Sequence, residues 1–163
     1  MSITVPQFEL ENVGAGESPF RLADALADDD VDAVVVLLQR DYHCRNCRQQ
    51  VQDVAERYDE FAAAGAVVVS VLPEPADRAA DWQDAYDLPY PLLADPEKAV
   101  SDDLDQPTRF GFLGGLHDLV GRMPEALVVD VTGDEPAVPF VHEGSSPADR
   151  PSIDELLSAA RNC

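Results

Sequence analysis

Two cysteines separated by two residues, Cys44 and Cys47, form the part of this sequence best suited to chemistry. They follow the apolar run 33–38, which predicts a buried strand, and they open an amphipathic segment that predicts a helix. The first turn of a helix has unpaired backbone N–H groups and partial positive charge, and both stabilise a thiolate. Because the thiolate is the form of cysteine that attacks disulfides and peroxides, the pair predicts redox chemistry at a helix N-terminus.

Residues next to the dithiol indicate the same chemistry. Arg40, Arg45 and Arg48 lie close together in a chain whose formal net charge is -21. Since cations beside a thiol favour its deprotonated form, we predict that these arginines stabilise the thiolate. Tyr42 and His43 precede Cys44 directly and are predicted to shape the rim of the site and position the substrate.

The spacing of the cysteines also suits a metal site. A structural zinc site needs a second pair of ligands, whereas the remaining cysteine and the histidines are scattered singly. These residues are Cys163, His43, His117 and His142. The alternative from another functional class is a Cu(I) carrier that binds metal through His43, Cys44 and Cys47. A carrier would copurify with metal and lack redox turnover, whereas we expect an enzyme with no metal or other cofactor.

Length and composition predict one compact domain over residues 1–163. The hydrophobic content is 45%, and no apolar stretch is long enough to cross a membrane. Residues 1–7 lack the basic start and apolar centre of a secretory signal, so we expect a cytoplasmic protein. With 32 acidic residues against 11 lysines and arginines, nucleic acid and anionic membranes are poor partners.

The acidic residues occur in nearly every segment, which is typical of a hydrated surface adapted to a halophilic cytoplasm. Repulsion among these charges is poorly screened at low ionic strength. We therefore expect stability to rise with salt, and melting temperatures in dilute and in molar KCl test this expectation. Equal melting temperatures in the two buffers would contradict it.

The remaining pattern alternates strands and helices, as in an α/β protein. Helical spacing continues from the cysteines to Gly65, so one long helix is predicted there with the glycine as its C-cap. The apolar run 66–72 predicts a second buried strand and hence a right-handed crossover. The other predicted elements are a helix over 76–86, a short strand over 90–93, a helix from Asp95 to 104, an irregular connection over 107–121, an antiparallel hairpin of strands 126–130 and 137–142, and a final helix opened by a capping box at Ser152 and Glu155.

This order of elements, with the Cys-x-x-Cys pair between a buried strand and its helix, resembles the thioredoxin fold. Segments 6–10 and 20–24 resemble the N-terminal hairpin of peroxiredoxin-like redoxins, the alkyl hydroperoxide reductase and thiol-specific antioxidant superfamily. The run 90–96 resembles a segment characteristic of the same family. The resemblance spans nearly the whole chain and implies a central mixed sheet flanked by helices, with an N-terminal β-hairpin extension.

The resemblance implies further site residues. Segment 122–130 is similar to the approach to the third core strand of thioredoxin-type proteins, where a cis-proline lies against the active-site cysteines. Pro124 corresponds to that proline. With Met123, the residue before it, it is expected to position the substrate.

Three positions depart from the family pattern. Typical peroxiredoxins hold peroxide with a proline, a threonine three residues before the reactive cysteine, and a later arginine. Aligned on Cys47, this chain has Arg40, Cys44 and approximately Pro124 at those positions, which leaves Arg122 as a nearby substitute. The favoured function is therefore thiol-disulfide exchange in antioxidant defence, and reduction of hydrogen peroxide or organic hydroperoxides is the alternative.

The order in which the cysteines react stays open at this point. In dithiol exchange, Cys44 would be the exposed nucleophile at the helix tip and Cys47 would resolve the mixed disulfide. In a peroxidase, alignment favours Cys47 as the attacking residue, whereas the expected exposure favours Cys44. Either function implies a thiol reductant, protein or small molecule, as electron donor and a disulfide or hydroperoxide as substrate. A dimer is compatible with the sequence.

Overall fold

A computed structural model describes residues 7–100 and 123–163 of the chain. The strands of this part are β1 (Glu9–Asn12), β2 (Phe20–Arg21), β3 (Ala33–Leu38), β4 (Ala66–Leu72), β5 (Leu92–Ala94), β6 (Glu125–Asp130) and β7 (Ala137–Glu143). They form one mixed sheet in the order β2-β1-β5-β4-β3-β6-β7. The predicted central mixed sheet of an α/β protein is therefore confirmed.

Strands β3 and β4 occupy the centre of the sheet because both are continuous apolar runs. They pair in parallel with Ala33 opposite Ala66, and β6 pairs antiparallel on the other side of β3. Every residue of β3 is buried, as expected for a strand covered on both faces. Both strands have the bounds that the sequence predicts. The carboxyl end of β3 leads the chain directly to the dithiol.

The described helices are α1 (Leu22–Leu26), α2 (Arg45–Glu56), α3 (Tyr58–Ala63), α4 (Ala76–Tyr86) and α5 (Ile153–Arg161). The prediction of one helix from the cysteines to Gly65 is wrong, because the chain leaves helical geometry at Arg57, with φ -115° and ψ 18°. The Arg57 guanidinium binds Glu60 at 2.6 Å and Asp154 at 2.8 Å. The sequence has no proline or glycine at this break, so its periodicity reads as continuous. Gly65 does follow α3 with a positive φ of 73°, as predicted.

The N-terminal hairpin is confirmed. Strands β1 and β2 pair antiparallel, and β1 also pairs with β5, so the hairpin extends the main sheet. The second arm of the hairpin is shorter than predicted because α1 begins at Leu22.

The helix predicted from Asp95 begins later, at residue 99. The Asp95 carboxylate still caps it, because it accepts the N–H groups of Ala99 and Val100 at 3.1 and 3.0 Å. The rest of that predicted helix and the whole of the connection predicted over 107–121 lie outside the described residues, as does Arg122.

The C-terminal elements agree with the sequence. Strands β6 and β7 form the predicted antiparallel hairpin. Helix α5 opens with the predicted capping box, in which the Ser152 hydroxyl accepts the Glu155 N–H at 3.1 Å and the Glu155 carboxylate accepts the Ser152 N–H at 3.3 Å. Because β7 is antiparallel to β6, and β6 to β3, the carboxyl ends of β7 and β3 lie at the same edge of the sheet. The segment between β7 and α5 therefore lies beside the dithiol.

The sheet separates two apolar clusters. The cluster that includes side chains of α2 to α5 also contains both cysteines of the dithiol, together with Val51, Trp82 and Leu156. The other cluster lies across the sheet around Leu22, Val36 and Leu38. The dithiol thus belongs to a packed core. Among the helices of the described residues, none combines the length and the apolar character needed to cross a membrane.

Candidate active site

The two cysteines of the predicted dithiol are joined in a disulfide at the start of α2. Cys44 is the N-cap residue of this helix, and its Sγ accepts the backbone N–H of Cys47 at 3.1 Å. The Cα atoms are 5.2 Å apart, within the range that disulfides span. The sequence therefore placed the dithiol correctly at a helix N-terminus, where the unpaired N–H groups point at sulfur.

Burial differs from the expectation of an exposed helix tip. Cys44 is 5% exposed and Cys47 is 0% exposed, so the predicted exposure of Cys44 is wrong. Both cysteines belong to the apolar cluster of that face, which contains Trp82 of α4 and against which Tyr42 of the preceding loop packs. Cys44 remains the more accessible of the two by a small margin.

Arg150 contacts the dithiol and was missed by the sequence reasoning. Its Nη2 donates to Cys47 Sγ at 2.9 Å and lies 3.6 Å from Cys44 Sγ. The backbone N–H of Arg40 also donates to Cys47 Sγ, at 3.2 Å. Two donors, one of them a full positive charge, therefore converge on the sulfur of Cys47.

Buried neutral acceptors hold the rest of the Arg150 guanidinium. Its Nη1 donates to the Oε1 atoms of Gln39 at 2.9 Å and Gln50 at 2.8 Å, and its Nε donates to the carbonyl of Pro147 at 2.9 Å. Burial lowers the pKa of Arg150 to about 10, with a smaller contribution from the charge of Arg40. The group stays protonated at neutral pH, and its positive charge is directed at sulfur.

The loop that carries Arg150 is anchored by its neighbour in sequence. The Asp149 carboxylate accepts the N–H of Ser145 at 2.8 Å and its hydroxyl at 2.9 Å, and it lies 3.0 Å from His142 Nε2. The Ser145 hydrogen bonds, backbone first, and then His142 lower the pKa of Asp149. A cavity of about 160 Å³ between α2 and the start of α5 reaches Arg150 from outside, with Asn46 among its lining residues.

Arg48 holds the loop before the dithiol and makes no hydrogen bond to sulfur. Its Nε and Nη2 donate to the carbonyl of Tyr42 at 3.0 and 2.8 Å, and its Nη1 donates to the Tyr86 hydroxyl at 3.2 Å. The guanidinium lies over the rings of Tyr42 and Trp82, and the indole N–H of Trp82 donates to the same carbonyl at 3.2 Å. These contacts hold the loop before Cys44 against α4. Arg48 therefore positions the chain that leads to the dithiol and does not contact the sulfurs.

The other residues predicted from the local sequence surround the dithiol at differing distances. The Arg40 guanidinium pairs with Asp41 at 4.0 Å, while its backbone N–H contacts sulfur. Arg45 and His43 are exposed, and the imidazole of His43 meets the Tyr42 ring edge-on at 4.9 Å. The structure therefore places a backbone group of Arg40, and not the side chain of Arg45 or Arg48, in hydrogen-bond contact with the dithiol.

The residues expected from the approach to β6 are partly described. Arg122 lies outside the described residues, Met123 is 3% exposed, and Pro124 is buried just before β6. The expectation of a cis peptide bond at Pro124 is wrong, because among the described residues the cis bond precedes Pro19. A trans proline suits the start of a strand, and the Pro124 carbonyl accepts the N–H of Gly144 at 2.8 Å in the adjoining hairpin.

The structure gives no support to the metal-carrier alternative. Within the described residues, no group of three or more His, Cys, Asp or Glu side chains is arranged to hold a metal ion. The two thiols that such a carrier would need are bonded to each other.

Cys163 lies at the end of the sheet opposite the dithiol, so we expect that the reaction of the dithiol does not need it. Burial raises the pKa of its thiol, and the charges of Asp130 and Asp32 raise it further. These aspartates flank the amino end of β3, and its 6 residues, at about 3.3 Å each, separate them from the dithiol by roughly 20 Å. We expect Cys163→Ser to leave turnover with a thiol donor unchanged in a steady-state assay. A marked loss of turnover would show that Cys163 takes part in the cycle.

Comparison with known proteins identifies the family. The model of the AhpC/TSA family matches residues 2–134. A protein of Mycobacterium tuberculosis named a putative peroxiredoxin is 32% identical over 87 residues, which are 50% of this chain and 55% of that protein. The match thus covers about half the length of the curated relative.

Solved structures show the same fold. The crystal structure of peroxidoxin BcpB from Mycobacterium tuberculosis superposes with a TM-score of 0.76 at 22% identity, covering 99% of this chain and 96% of that one. The AhpC of Enterococcus faecalis gives 0.77 at 16% identity, covering 99% and 90%. These likenesses confirm the predicted thioredoxin-like α/β fold. With the family model matching most of its length, this chain belongs to the AhpC/TSA family.

Proposed function

We propose that this protein is a thiol-dependent oxidoreductase that cycles Cys44 and Cys47 between a dithiol and a disulfide. The observation that carries the proposal is the joined pair at the N-terminus of α2, with Arg150 Nη2 2.9 Å from Cys47 Sγ. The cation at the sulfur of Cys47 and the helix N–H at the sulfur of Cys44 are both conditions that favour a reactive thiolate.

Hydroperoxide reduction is the reaction that this geometry supports best, with Cys47 as the attacking residue. Both donors that contact sulfur from outside the pair, Arg150 and the Arg40 N–H, converge on Cys47. Arg150 also supplies a guanidinium where the aligned position of Pro124 lacks one, which answers one of the three departures from the family pattern. Relatives named as peroxiredoxins point to the same substrate class.

In the proposed cycle, a hydroperoxide oxidises the dithiol to the disulfide and a thiol reduces it again. The Cys47 thiolate attacks the terminal oxygen of the hydroperoxide, so an S–O bond forms, the O–O bond breaks, and the hydroxide or alkoxide that leaves takes one proton from solvent to become water or an alcohol. Cys44 then attacks the sulfur of this sulfenic acid, forming the S–S bond and releasing water. A thiol reductant, protein or small molecule, returns two electrons and two protons to the disulfide by exchange.

The small difference in exposure between the sulfurs supports a role for Cys44 in the reductive step. An incoming thiolate attacks Cys44, the sulfur with measurable exposure, and Cys47 departs as the thiolate. Arg150 stabilises this leaving group, and a stabilised leaving thiolate speeds exchange. The access of Cys44 also favours a second candidate function, in which the same chemistry in reverse reduces disulfides of other molecules. The cytoplasm is the location that we propose for either reaction.

A paired assay tests the proposal. Fully reduced protein at high salt is mixed with one equivalent of hydrogen peroxide or with a disulfide substrate, and the loss of two thiols per chain is followed. Consumption of peroxide coupled to formation of the Cys44–Cys47 bond supports the first function. Consumption of disulfide without reaction with peroxide would favour the second, and reaction with neither would refute both.

A further inference from the structure

Two uncharged side chains, Gln39 and Gln50, bind the Nη1 atom of Arg150. The Nε and Nη2 atoms face the Pro147 carbonyl and the sulfurs. Gln39 follows β3 and is 0% exposed, while Gln50 lies in the second turn of α2 and is 8% exposed. Gln39 Nε2 donates to Gln50 Oε1 at 3.0 Å, which links the two amides. Since arginine has no acceptor, the glutamine atoms that face it are fixed as oxygens. Each of its N–H groups thus has an acceptor, and the guanidinium is held in one orientation.

The acceptors of Arg150 are all uncharged in the disulfide form. They are two amide oxygens, one carbonyl and the bonded sulfurs, and no carboxylate of the described residues pairs with it. Among the charged groups of the elements packed around it, Arg40 is of like sign and lies paired with Asp41. Glu125 of β6 stands opposite Leu38 and so belongs to the other face of the sheet. Burial lowers the pKa of Arg150, and the like charge of Arg40 lowers it further.

Arg57 in the same chain shows the contrasting arrangement. Its guanidinium is held by the carboxylates of Glu60 and Asp154, and these hydrogen bonds raise its pKa. Carboxylates hold an arginine as firmly as amides do, but they also neutralise its field. At the dithiol, the described residues hold the arginine through neutral groups alone.

We infer that Gln39 and Gln50 are positioning residues whose neutrality reserves the charge of Arg150 for the sulfur of Cys47. This inference rests on the proposed function and deepens it, because it names what makes the arginine effective. When the disulfide opens, the Cys47 thiolate becomes the counter-ion of a guanidinium that is already in place. A carboxylate at either glutamine would hold Arg150 equally well and would take that role from the thiolate.

The test measures the thiol directly and needs no turnover. In a Cys44→Ser, Cys163→Ser background, Cys47 is the remaining thiol, and the pH dependence of its alkylation gives its pKa. We expect Gln50→Glu to raise this pKa by about one unit or more, which is about tenfold fewer thiolates at a pH below it. Gln39→Glu adds a negative charge from the β3 side and should also raise the pKa of the Cys47 thiol. This second variant replaces Gln50→Glu in the test if Gln50→Glu does not fold.

Two further variants separate charge from shape. Gln49→Glu adds the same charge to the exposed adjacent position of α2 and should leave the pKa unchanged at high salt. Gln50→Met keeps the length of the side chain without charge and should shift the pKa less than Gln50→Glu does. An unchanged pKa in Gln50→Glu and Gln39→Glu, or an equal shift in Gln50→Met, would overturn the inference. Absence of reaction with peroxide or disulfide would refute the proposed function and leave this measurement intact.

Discussion

Cys47→Ser should abolish the reaction with hydrogen peroxide, whereas Cys44→Ser should retain one rapid reaction per chain. Arg150 and the Arg40 N–H converge on Cys47 Sγ at 2.9 and 3.2 Å, so the reactive thiolate is lost with this residue. Without Cys44, the sulfenic acid on Cys47 lacks the partner that condenses with it, and it should accumulate. Trapping sulfenic acid with a nucleophilic probe and locating the adduct by mass spectrometry measures both outcomes.

The controls for this experiment come from the same chain. Cys163→Ser should behave as the native protein, and the melting temperatures of both site variants are compared with that of the reduced native protein, because each variant also removes the disulfide. Sulfenic acid on Cys44 in the Cys47→Ser variant, or equal labelling of the two residues, would contradict the assignment. A stable mixed disulfide through Cys44 in Cys47→Ser, with no consumption of peroxide by the native chain, would support the second candidate function.

The elements that the sequence predicted well are those with a local physical signal. The apolar runs of β3 and β4 are buried on both faces, and their bounds follow from composition alone. The capping box of α5 is likewise a local pattern that the structure reproduces. The position of the dithiol at the start of α2 followed from one strand and one amphipathic segment.

The features that the sequence missed depend on tertiary contacts. Arg48 lies near the dithiol in sequence, yet the aromatic side chains of α4 draw its guanidinium toward Tyr42 and Tyr86. The burial of Cys44 also depends on tertiary contacts, because Cys44 belongs to the apolar cluster that contains Trp82 of α4 and Leu156 of α5. At the break between α2 and α3, Arg57 pairs with Asp154, a residue of α5 that is distant in the sequence. A prediction from proximity in the sequence therefore overestimates how much the side chains of Arg45 and Arg48 stabilise the thiolate.

Topology could have revealed Arg150. Its contact with Cys47 spans 103 positions of sequence, and it follows no motif. However, the predicted hairpin makes its second strand parallel to β3, so the loop after that strand must lie at the same edge of the sheet as the dithiol. Arg150 is the arginine of that loop. The same reasoning applies wherever a reactive residue follows a central strand.

Arg150→Gln should raise the pKa of the Cys47 thiol by about one to three units and slow its reaction with peroxide correspondingly. The variant removes the positive charge that lies 2.9 Å from Cys47 Sγ while keeping a polar side chain. Each unit is worth about 1.4 kcal/mol between thiol and thiolate, so below the new pKa each unit lowers the thiolate fraction about tenfold. The rate deficit should therefore shrink as the pH is raised toward that pKa.

Stopped-flow mixing of reduced protein with hydrogen peroxide across a range of pH measures both the pKa and the rate of the thiolate. Arg161→Gln removes an exposed arginine from the far end of α5 and is the matched control for the loss of one positive charge. Arg150→Lys should fall between the native protein and Arg150→Gln, because it keeps the charge but loses the fork that contacts sulfur and glutamine together. A rate deficit that stays constant with pH would mean that Arg150 acts on the peroxide or on the loop rather than on the charge of Cys47. An unaltered pKa together with an unaltered rate would contradict the role of Arg150 in activating Cys47.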